Sequence, residues 1–282
     1  KILVTGGAGY IGALLVPLLL ADGHKVTVFD TLWFGNGHFP HNPNVTLCKG
    51  DVRDEALWSR CINGQDAVIW LASISNNAMY DVDFDTTHGV NTFVRPSPGM
   101  RFIYASSVAV ADPTSNYAMD KLSCEVALKG TDAVIVRAAS VCGYSTHQRL
   151  DLTVNKMAHD AYRKKEITVA GGGQMRTHVH IRDVCDFYRM LVKSDLQGTF
   201  NVVTTSQSVL DTALLVGKHI HAQITVKERS DNRSYTVEPS KEFIPARSIE
   251  NAVRELKTRF QSGYWKDSLT NQGYQNVNHS IV

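Results

Sequence analysis

The chain has 282 residues, of which 43% are hydrophobic and 20% are charged, and this composition is that of a globular protein with a large core. Its formal net charge is only +2, and no basic run is interleaved with aromatic residues, which argues against a nucleic-acid-binding surface. No apolar stretch has the length of a membrane span. The five cysteines are scattered and odd in number, which predicts reduced thiols in a cytoplasmic protein, with neither a disulfide framework nor a metal site.

The first chemical signal is a glycine-rich turn between an apolar strand and an apolar helix. Residues Ile2–Val4 precede the segment Gly6–Gly12, and an apolar stretch of helical length, Ile11–Leu20, follows. This order is typical of a turn that brings backbone N–H groups and a helix N-terminus against a pyrophosphate. The sequence therefore predicts a dinucleotide cofactor. The residues predicted to bind it here are Gly6, Gly9, Tyr10, Ile11 and Gly12.

A second strand ends in an acidic residue that indicates which dinucleotide is bound. The strand Lys25–Phe29 is followed by Asp30, which lies 18 residues after Gly12. A carboxylate at this position can accept hydrogen bonds from both hydroxyls of the adenosine ribose, and it repels a 2′-phosphate. The cofactor is therefore predicted to be NAD and not NADP, with Asp30 among its ligands.

The remaining first half alternates short apolar strands with helices. This alternation predicts an α/β fold with a doubly wound parallel sheet, of the Rossmann type. Ligands of such a sheet bind beyond the carboxyl ends of its strands. The further strands predicted in this half are Val45–Cys48, Ala67–Ala72, Arg101–Ala105 and Ala133–Arg137.

The pattern loosens after about Gly143. We expect residues 1–142 to form an NAD-binding Rossmann domain and residues 143–282 to form mainly a smaller C-terminal substrate lobe, interleaved with the first. The elements predicted in the second half are a helix near Thr153–Lys164, strands at Ile167–Val169 and Thr177–Ile181, a helix beginning near Asp183, a late strand at Phe200–Val203 and an amphipathic helix at Ile249–Phe260.

Two connections are short for crossovers of a parallel sheet. The segment between Asn91 and the strand at Phe102 leaves little room for a full crossover helix, and Pro96–Gly99 interrupts the residues available for one. The connection between Ser107 and Tyr117 is also brief. We therefore expect that segments near residues 91–101 and 107–117 are absent from the sequence.

Tyr117 and Lys121 form a candidate catalytic pair. They lie one helical turn apart, so both side chains are expected on one helix face. A tyrosine with its ordinary pKa of about 10 is a poor base at neutral pH. A neighbouring ammonium group, together with the positive nicotinamide ring, stabilises the phenolate, so we expect Lys121 and the cofactor to lower the pKa of Tyr117. The lysine can also reach the nicotinamide ribose.

The residues around this pair in the sequence predict that it lies on a helix, and an upstream segment supplies a hydroxyl group. Either Ser115 or Asn116 can cap the helix, and Leu122 with Val126 is predicted to form its buried stripe. The segment Ser106–Ser107, at the end of a buried strand, supplies a hydroxyl that can bind a substrate oxygen, although capping of the strand end is the structural alternative.

Taken in chain order, these motifs resemble the extended short-chain dehydrogenase/reductases. More narrowly, they resemble the NAD-dependent epimerase/dehydratase family, which acts on nucleotide-diphosphate sugars, and the resemblance covers nearly the whole chain. It implies an NAD cofactor, a nucleotide-sugar substrate and a homodimer. The segments that carry the resemblance are Gly6–Gly12, Asp30, Gly50–Asp54, Leu71–Ser73, Ser106–Ser107 and Tyr117–Lys121.

The resemblance also implies roles for single residues. Asp51 and Val52 are expected to flank the adenine, and Leu71, Ala72 and Ser73 are expected to line the cofactor. Tyr117 and Lys121 match the catalytic pair and also contact the cofactor. Ser107 matches the catalytic serine or threonine, which also binds the substrate.

The second half supports the narrower resemblance. The segment Arg176–Val184 is similar to a family segment whose arginine binds the diphosphate of the substrate, which suits a guanidinium group. Asn155 matches a family asparagine that contacts the same ligand, and Arg233 is a second diphosphate candidate. For both arginines, ordinary surface charge is the alternative. His178 and His180 are interpreted as structural residues.

One departure from the family narrows the reaction. The family's 4,6-dehydratases have Asp-Glu after the catalytic threonine, whereas this chain has Val108 and Ala109, which cannot transfer protons. An epimerase acting at C4 through a 4-keto intermediate is therefore expected. The alternatives are a reductase or an oxidative decarboxylase of a similar substrate, or a non-catalytic nucleotide-sensing relative. The complete set of Ser107, Tyr117 and Lys121 argues against the last of these.

Overall fold

A seven-stranded parallel sheet organises the structure, a computed structural model that describes residues 1–33, 35, 42–228 and 234–275. The strand order is β10-β6-β5-β4-β1-β2-β3, and every neighbouring pair is parallel. The strands of this sheet are β1 (Ile2–Thr5), β2 (Val26–Asp30), β3 (Val45–Lys49), β4 (Ala67–Trp70), β5 (Arg101–Ser107), β6 (Val134–Ala138) and β10 (Gly198–Val202).

Helices cover both faces of this sheet. The helices associated with it are α1 (Gly12–Ala21), α2 (Glu55–Ile62), α3 (Ala78–Val82), α4 (Phe84–Asn91), α5 (Asn116–Ala127) and α7 (Ile181–Val192). Along β1, Ile2 and Val4 pack in a cluster with residues of α1 and α7, whereas Leu3 packs on the opposite face with residues of α2 and α5. All three side chains are at most 1% exposed. The predicted doubly wound α/β fold is therefore confirmed.

The crossover between β4 and β5 is formed by two helices in the residues up to Asn91. The helices α3 and α4 lie between β4 and β5 and end at Asn91, so the connection from there to Arg101 needs no further helix. Between β5 and β6, a short 3-10 helix at Val108–Ala111 leads into α5. Whether segments are absent from the sequence at these two places stays a prediction.

Among the described residues, no helix is both long and apolar enough to cross a membrane.

A smaller lobe is built from the second half of the chain. Its helices α6 (Thr153–Lys164), α8 (Val209–Ile220) and α9 (Ile249–Gln261) pack around one apolar cluster. The second half also returns to the large sheet, because β10 pairs with β6 and α7 packs on α1. The lobe's strands are β7 (Ser140–Cys142), β8 (Glu166–Ala170), β9 (Met175–His180), β11 (Thr205–Ser208) and β12 (Gln223–Lys227), in the sheets β11-β9-β7 and β12-β8.

The helix α5 is oriented by polar contacts, and the predicted apolar stripe is wrong. Leu122 is only half-buried and Val126 is 53% exposed. Of the two candidate caps, Ser115 is the residue that accepts a hydrogen bond, from the N–H of Ala118. The buried residues of the helix are instead Ala118, Asp120, Lys121, Cys124 and Glu125.

Glu125 attaches this helix to two strands of the sheet. It is 5% exposed, and it accepts hydrogen bonds from the Ser106 hydroxyl at 2.5 Å and from Arg137 Nε at 2.9 Å. Because Ser106 belongs to β5 and Arg137 to β6, one carboxylate sets the position of α5 over both strands.

We expect Glu125→Ala to destabilise the protein by about 2–3 kcal/mol, because it leaves Arg137 and Ser106 without their partner. The matched control is Glu55→Ala, which removes a carboxylate that is 78% exposed from its ion pair with Arg95. That change should cost under about 1 kcal/mol. Urea unfolding followed by circular dichroism measures both values, and equal losses for the two variants would contradict this anchoring role.

Candidate functional site

One cavity of about 400 Å³ opens at the carboxyl edge of the large sheet, between the sheet and the smaller lobe. It is lined by the ends of β1, β2, β4 and β5 and by the first turns of α1 and α5. All the residues predicted from the sequence as cofactor ligands line it, namely Gly6, Gly9, Tyr10, Ile11, Gly12, Asp30, Asp51, Val52, Leu71, Ala72, Ser73, Tyr117 and Lys121.

The glycine turn has no room for side chains. Gly6 has a φ of +67°, and a Cβ atom on it would lie 2.7 Å from the backbone nitrogen of Ala72. A Cβ on Gly12 would lie 2.4 Å from the carbonyl oxygen of Gly7. The helix α1 begins at Gly12, which borders the cavity. The turn therefore presents bare backbone and a helix N-terminus to a ligand, which is the environment that a pyrophosphate requires.

Asp30 lies at the end of β2 and is held by two backbone N–H groups. Its Oδ2 accepts from Ala8 at 2.9 Å and its Oδ1 accepts from Leu32 at 2.8 Å. Burial raises the pKa of this carboxyl above its ordinary value, against the lowering effect of the two hydrogen bonds. The carboxylate connects the glycine turn to the segment after β2 and lies at the cavity wall.

Tyr117 and Lys121 lie together on α5 as predicted, but the pKa of Tyr117 moves in the opposite direction. The Lys121 Nζ atom is 5.6 Å from the centre of the Tyr117 ring and donates to the Ala105 carbonyl at 2.8 Å. Burial raises the pKa of Tyr117 to about 12 and lowers that of Lys121 to about 8. In the protein by itself desolvation outweighs the neighbouring charges. That the ammonium group and a bound nicotinamide ring together lower the pKa of Tyr117 stays a prediction.

The two adjacent serines have different partners. Ser106 donates to the buried Glu125, so it belongs to the anchoring of α5. Ser107 lines the cavity, and its Oγ accepts a hydrogen bond from Ala109 at 3.2 Å, at the start of the 3-10 helix. This capping uses a lone pair of the oxygen, so the hydroxyl proton can still be donated to a substrate oxygen.

The sequence did not identify Arg149, which is a charged residue of the cavity wall. Its side chain is buried and forms a forked ion pair with Asp151, and its Nη1 donates to the Ser75 hydroxyl at 2.6 Å. The positive charge of Arg149 lowers the pKa of Tyr117, although less than burial raises it. No motif surrounds this arginine, and the only signal was an acidic residue two positions later.

The predicted substrate ligands divide into three cases. Arg176 lines the cavity, where its Nη1 donates to the Met175 carbonyl at 2.9 Å. Asn155 does not reach the cavity: it is fully buried, and its amide bonds to the Gly143 N–H and the Tyr10 hydroxyl. Its contacts in the structure are therefore with the protein, and a contact with substrate stays a prediction. Arg233 lies outside the described residues.

The two histidines of β9 have structural surroundings. His180 caps α7 by accepting from the N–H of Arg182, and burial lowers the pKa of His178 to about 4. Within the described part of the chain, no group of three or more histidine, cysteine or acidic side chains could hold a metal ion.

Substitution of Gly6 tests whether the cofactor needs the bare backbone of the turn. We expect Gly6→Ala to weaken NAD binding at least about tenfold, since the added Cβ clashes with Ala72 and displaces the turn. Gly23→Ala is the matched control, because Gly23 also has a positive φ, of +87°, but has no atom within 4 Å of the added Cβ. Both variants share the strain of the backbone conformation, so calorimetric titration with NAD isolates the clash. Equal NAD affinities in the two variants would contradict this interpretation.

Comparison with known proteins places the chain in a family. The family model described as "NAD dependent epimerase/dehydratase family" matches residues 2–202. The UDP-glucose 4-epimerase of Corynebacterium glutamicum is 30% identical over 167 residues, which are 51% of this chain and 50% of that protein. The chain thus aligns with about half the length of this relative.

Solved structures share the fold over nearly their whole length. The UDP-N-acetylglucosamine 4-epimerase from Methanobrevibacter ruminantium M1, in complex with UDP-N-acetylmuramic acid, has a TM-score of 0.82 and 21% identity, covering 93% of this chain and 98% of that one. The dTDP-glucose 4,6-dehydratase from Bacillus anthracis str. Ames, in complex with NAD, has a TM-score of 0.76 and 18% identity, covering 94% and 98%. With the family match, the chain belongs to the NAD-dependent epimerase/dehydratase family, and its cofactor is NAD.

Proposed function

We propose that the protein is an epimerase that inverts C4 of a nucleotide-diphosphate sugar through a transient 4-keto intermediate. The observation that carries this proposal is a single cavity lined by the turn Gly6–Gly12, by Ser107, Tyr117 and Lys121, and by Arg176. These residues can bind a dinucleotide, a sugar carbon that carries a hydroxyl group, and a diphosphate next to one another in the cavity. The names of two relatives, a UDP-glucose 4-epimerase and a UDP-N-acetylglucosamine 4-epimerase, agree with this choice.

Asp30 is the residue proposed to select NAD over NADP. Its carboxylate is held at the cavity wall by the N–H groups of Ala8 and Leu32. A 2′-phosphate would bring a second anion next to a carboxylate that is already poorly solvated, whereas ribose hydroxyls would donate hydrogen bonds to it.

The chemistry is proposed to depend on Tyr117. As a phenolate it accepts the proton of the C4 hydroxyl, while Ser107 donates a hydrogen bond to the same substrate oxygen and stabilises its developing charge. With a pKa of about 8, Lys121 is mostly protonated at neutral pH, so it supplies positive charge on the same helix face. Bound NAD supplies the oxidation of C4 and its later reduction. Tyr117 then returns the proton to the oxygen.

Inversion also requires the sugar ring to present first one face and then the other to the cofactor, while the rest of the substrate stays bound. Arg176 lies on β9 in the smaller lobe, whereas Tyr117 lies on α5 against the large sheet. If the diphosphate is held by Arg176, the keto sugar can turn about its bonds to the diphosphate without leaving the cavity.

A dehydratase is disfavoured by the side chains next to Ser107. Val108 and Ala109 both line the cavity and neither can donate or accept a proton. A reductase or an oxidative decarboxylase of a similar substrate is the second candidate, since the same cavity residues serve those reactions. Net consumption of NADH or release of CO2 would identify it.

Three further statements stay predictions. The protein is proposed to act in the cytoplasm, and residues 1–142 and 143–282 are proposed to bind mainly NAD and the nucleotide sugar, respectively. It is also proposed to form a homodimer. Exposed apolar side chains on neighbouring helices, Phe84 of α4 with Met119 and Val126 of α5, support such an interface.

We expect Tyr117→Phe to remove most epimerase turnover, by about 10²–10⁴-fold, because it deletes only the proton-accepting oxygen. The fold and the NAD affinity should be nearly unchanged. Tyr162→Phe, which deletes a hydroxyl in the smaller lobe outside the cavity, is the matched control and should keep wild-type turnover. A panel of nucleotide sugars, with products identified by mass spectrometry and NMR, measures this. Wild-type turnover in Tyr117→Phe would rule out the mechanism.

We expect Arg176→Ala to weaken binding of a nucleoside diphosphate, such as UDP, about tenfold or more, because a charge-assisted bond to phosphate is lost. NAD affinity should barely change, since the glycine turn provides that site. Arg254→Ala, an exposed arginine paired with Glu250, is the control. Calorimetric titration compares the three proteins, and equal affinities for the nucleoside diphosphate would show that Arg176 does not bind this group.

A further inference from the structure

The glycine turn is attached to the smaller lobe by the hydroxyl of Tyr10. This residue belongs to the segment Gly6–Gly12 and is 7% exposed. Its hydroxyl donates to the Gly143 carbonyl at 2.7 Å and accepts from Asn155 Nδ2 at 2.9 Å. Gly143 directly follows β7, and Asn155 lies in the first turn of α6. One phenol of the turn therefore contacts the start of the connection between β7 and α6, here called the 143–152 loop, and the helix that follows it.

A second hydroxyl connects the same two segments in the reverse direction. Ser145 is fully buried, and its Oγ donates to the Tyr10 carbonyl at 2.7 Å. Beside it, the Thr146 hydroxyl donates to the Ala13 carbonyl, in α1, at 3.3 Å. The 143–152 loop is therefore bonded both to the side chain and to the backbone of Tyr10.

The same loop forms part of the cavity wall. Arg149 and Leu152 both line the cavity. The Arg149 carbonyl accepts from Asn155 Nδ2 at 2.9 Å and from Gln148 Nε2 at 3.1 Å. Because Asn155 also bonds to Tyr10, one buried amide connects the phenol of the glycine turn to the backbone of an arginine in the cavity wall.

We propose that Tyr10 is a positioning residue that couples the binding of the two ligands of the cavity. NAD bound against the glycine turn fixes the backbone of Tyr10, whose hydroxyl and carbonyl then hold the 143–152 loop in place. The loop in turn keeps Arg149 and Leu152 in position for the nucleotide sugar. The identity of this second ligand rests on the proposed function, whereas the effect of NAD on the loop does not.

The coupling follows from the free-energy cost of ordering the loop. A ligand that orders a flexible segment loses part of its binding free energy to that ordering, and a second ligand that needs the same segment ordered does not lose it again. NAD and the nucleotide sugar should therefore strengthen each other's binding, by the same factor in both directions.

Tyr10→Phe removes only the hydroxyl, and each of its partners keeps another hydrogen bond. The Gly143 carbonyl still accepts from Gln148 Nε2 at 3.3 Å. Asn155 Nδ2 still donates to the Arg149 carbonyl. We therefore expect this variant to fold, because neither buried partner is left without a hydrogen bond.

The first readout is hydrogen exchange of the 143–152 loop, followed by mass spectrometry with and without saturating NAD. Exchange of its bonded N–H groups requires the loop to open. We expect NAD to slow this exchange about fivefold or more in the wild type, and by less than half that factor in Tyr10→Phe. Tyr162→Phe is the matched control, since it removes a phenol hydroxyl from the helix that carries Asn155, and it should match the wild type. The bonded N–H groups of the loop include those of Gly143, Tyr144, Ser145 and Leu150.

The second readout uses UDP as the probe for the nucleotide part of the substrate. Calorimetric titration with NAD, with and without saturating UDP, gives the coupling factor as the ratio of the two affinities. We expect a factor of about five or more in the wild type and in Tyr162→Phe. The factor should fall in Tyr10→Phe and approach one when Ser145→Ala is added, because the double variant lacks both bonds between Tyr10 and the loop.

Equal protection of the loop by NAD in the wild type and in Tyr10→Phe would overturn the proposal, as would the absence of protection in the wild type. An NAD affinity that bound UDP does not change would also overturn it. Ser145→Ala alone takes the place of Tyr10→Phe in both measurements if the latter does not fold. If the wild type binds no UDP, the proposed substrate is wrong, while hydrogen exchange still decides whether Tyr10 transmits the effect of NAD to the loop.

Discussion

The cavity depends on the close approach of two backbone segments at the carboxyl edge of the sheet. Gly6, after β1, lies so near Ala72, after β4, that any side chain on Gly6 would overlap the backbone. Because β1 and β4 are neighbours, this contact holds the glycine turn beside the segment that carries Ser73. The N-terminus of α1 and the segment with Ser73 therefore face one cavity.

The helix α5, which carries Tyr117 and Lys121, is held in place by buried polar groups. On the face of α5 toward the sheet, Glu125 bonds to β5 and β6, Asp120 bonds to Tyr80 of α3, and Lys121 bonds to the Ala105 carbonyl. Buried polar groups are costly without partners, so each restricts the position of the helix more strongly than an apolar contact would. This restriction fixes the direction in which Tyr117 enters the cavity. The charged face that orients the helix therefore also includes Lys121, one of the residues proposed for catalysis.

Burial also explains where the structure differs from the pattern that the sequence predicted. A helix that packs on a sheet is ordinarily expected to bury an apolar stripe, here Leu122 and Val126. Instead, the buried face of α5 carries charged residues that pair with groups distant in sequence. Burial also raises the pKa of Tyr117, and how far the phenol is removed from solvent depends on all the segments that pack around it. Asn155 was matched to a ligand position by local pattern, whereas its partners Tyr10 and Gly143 come from the two halves of the chain.

The sequence by itself determined the parallel α/β fold and the cofactor, and it predicted a set of cofactor ligands that the fold brings to one cavity, because strand–turn–helix periodicity and the glycine and acidic positions are local features of the chain. Only the tertiary structure decided how those residues act together. It placed Arg149 in the same cavity as Tyr117, attached α5 through Glu125 and left Asn155 outside the residues that line that cavity. These outcomes depend on contacts between segments far apart in the chain, and on the solvent that those contacts exclude, which no local pattern records.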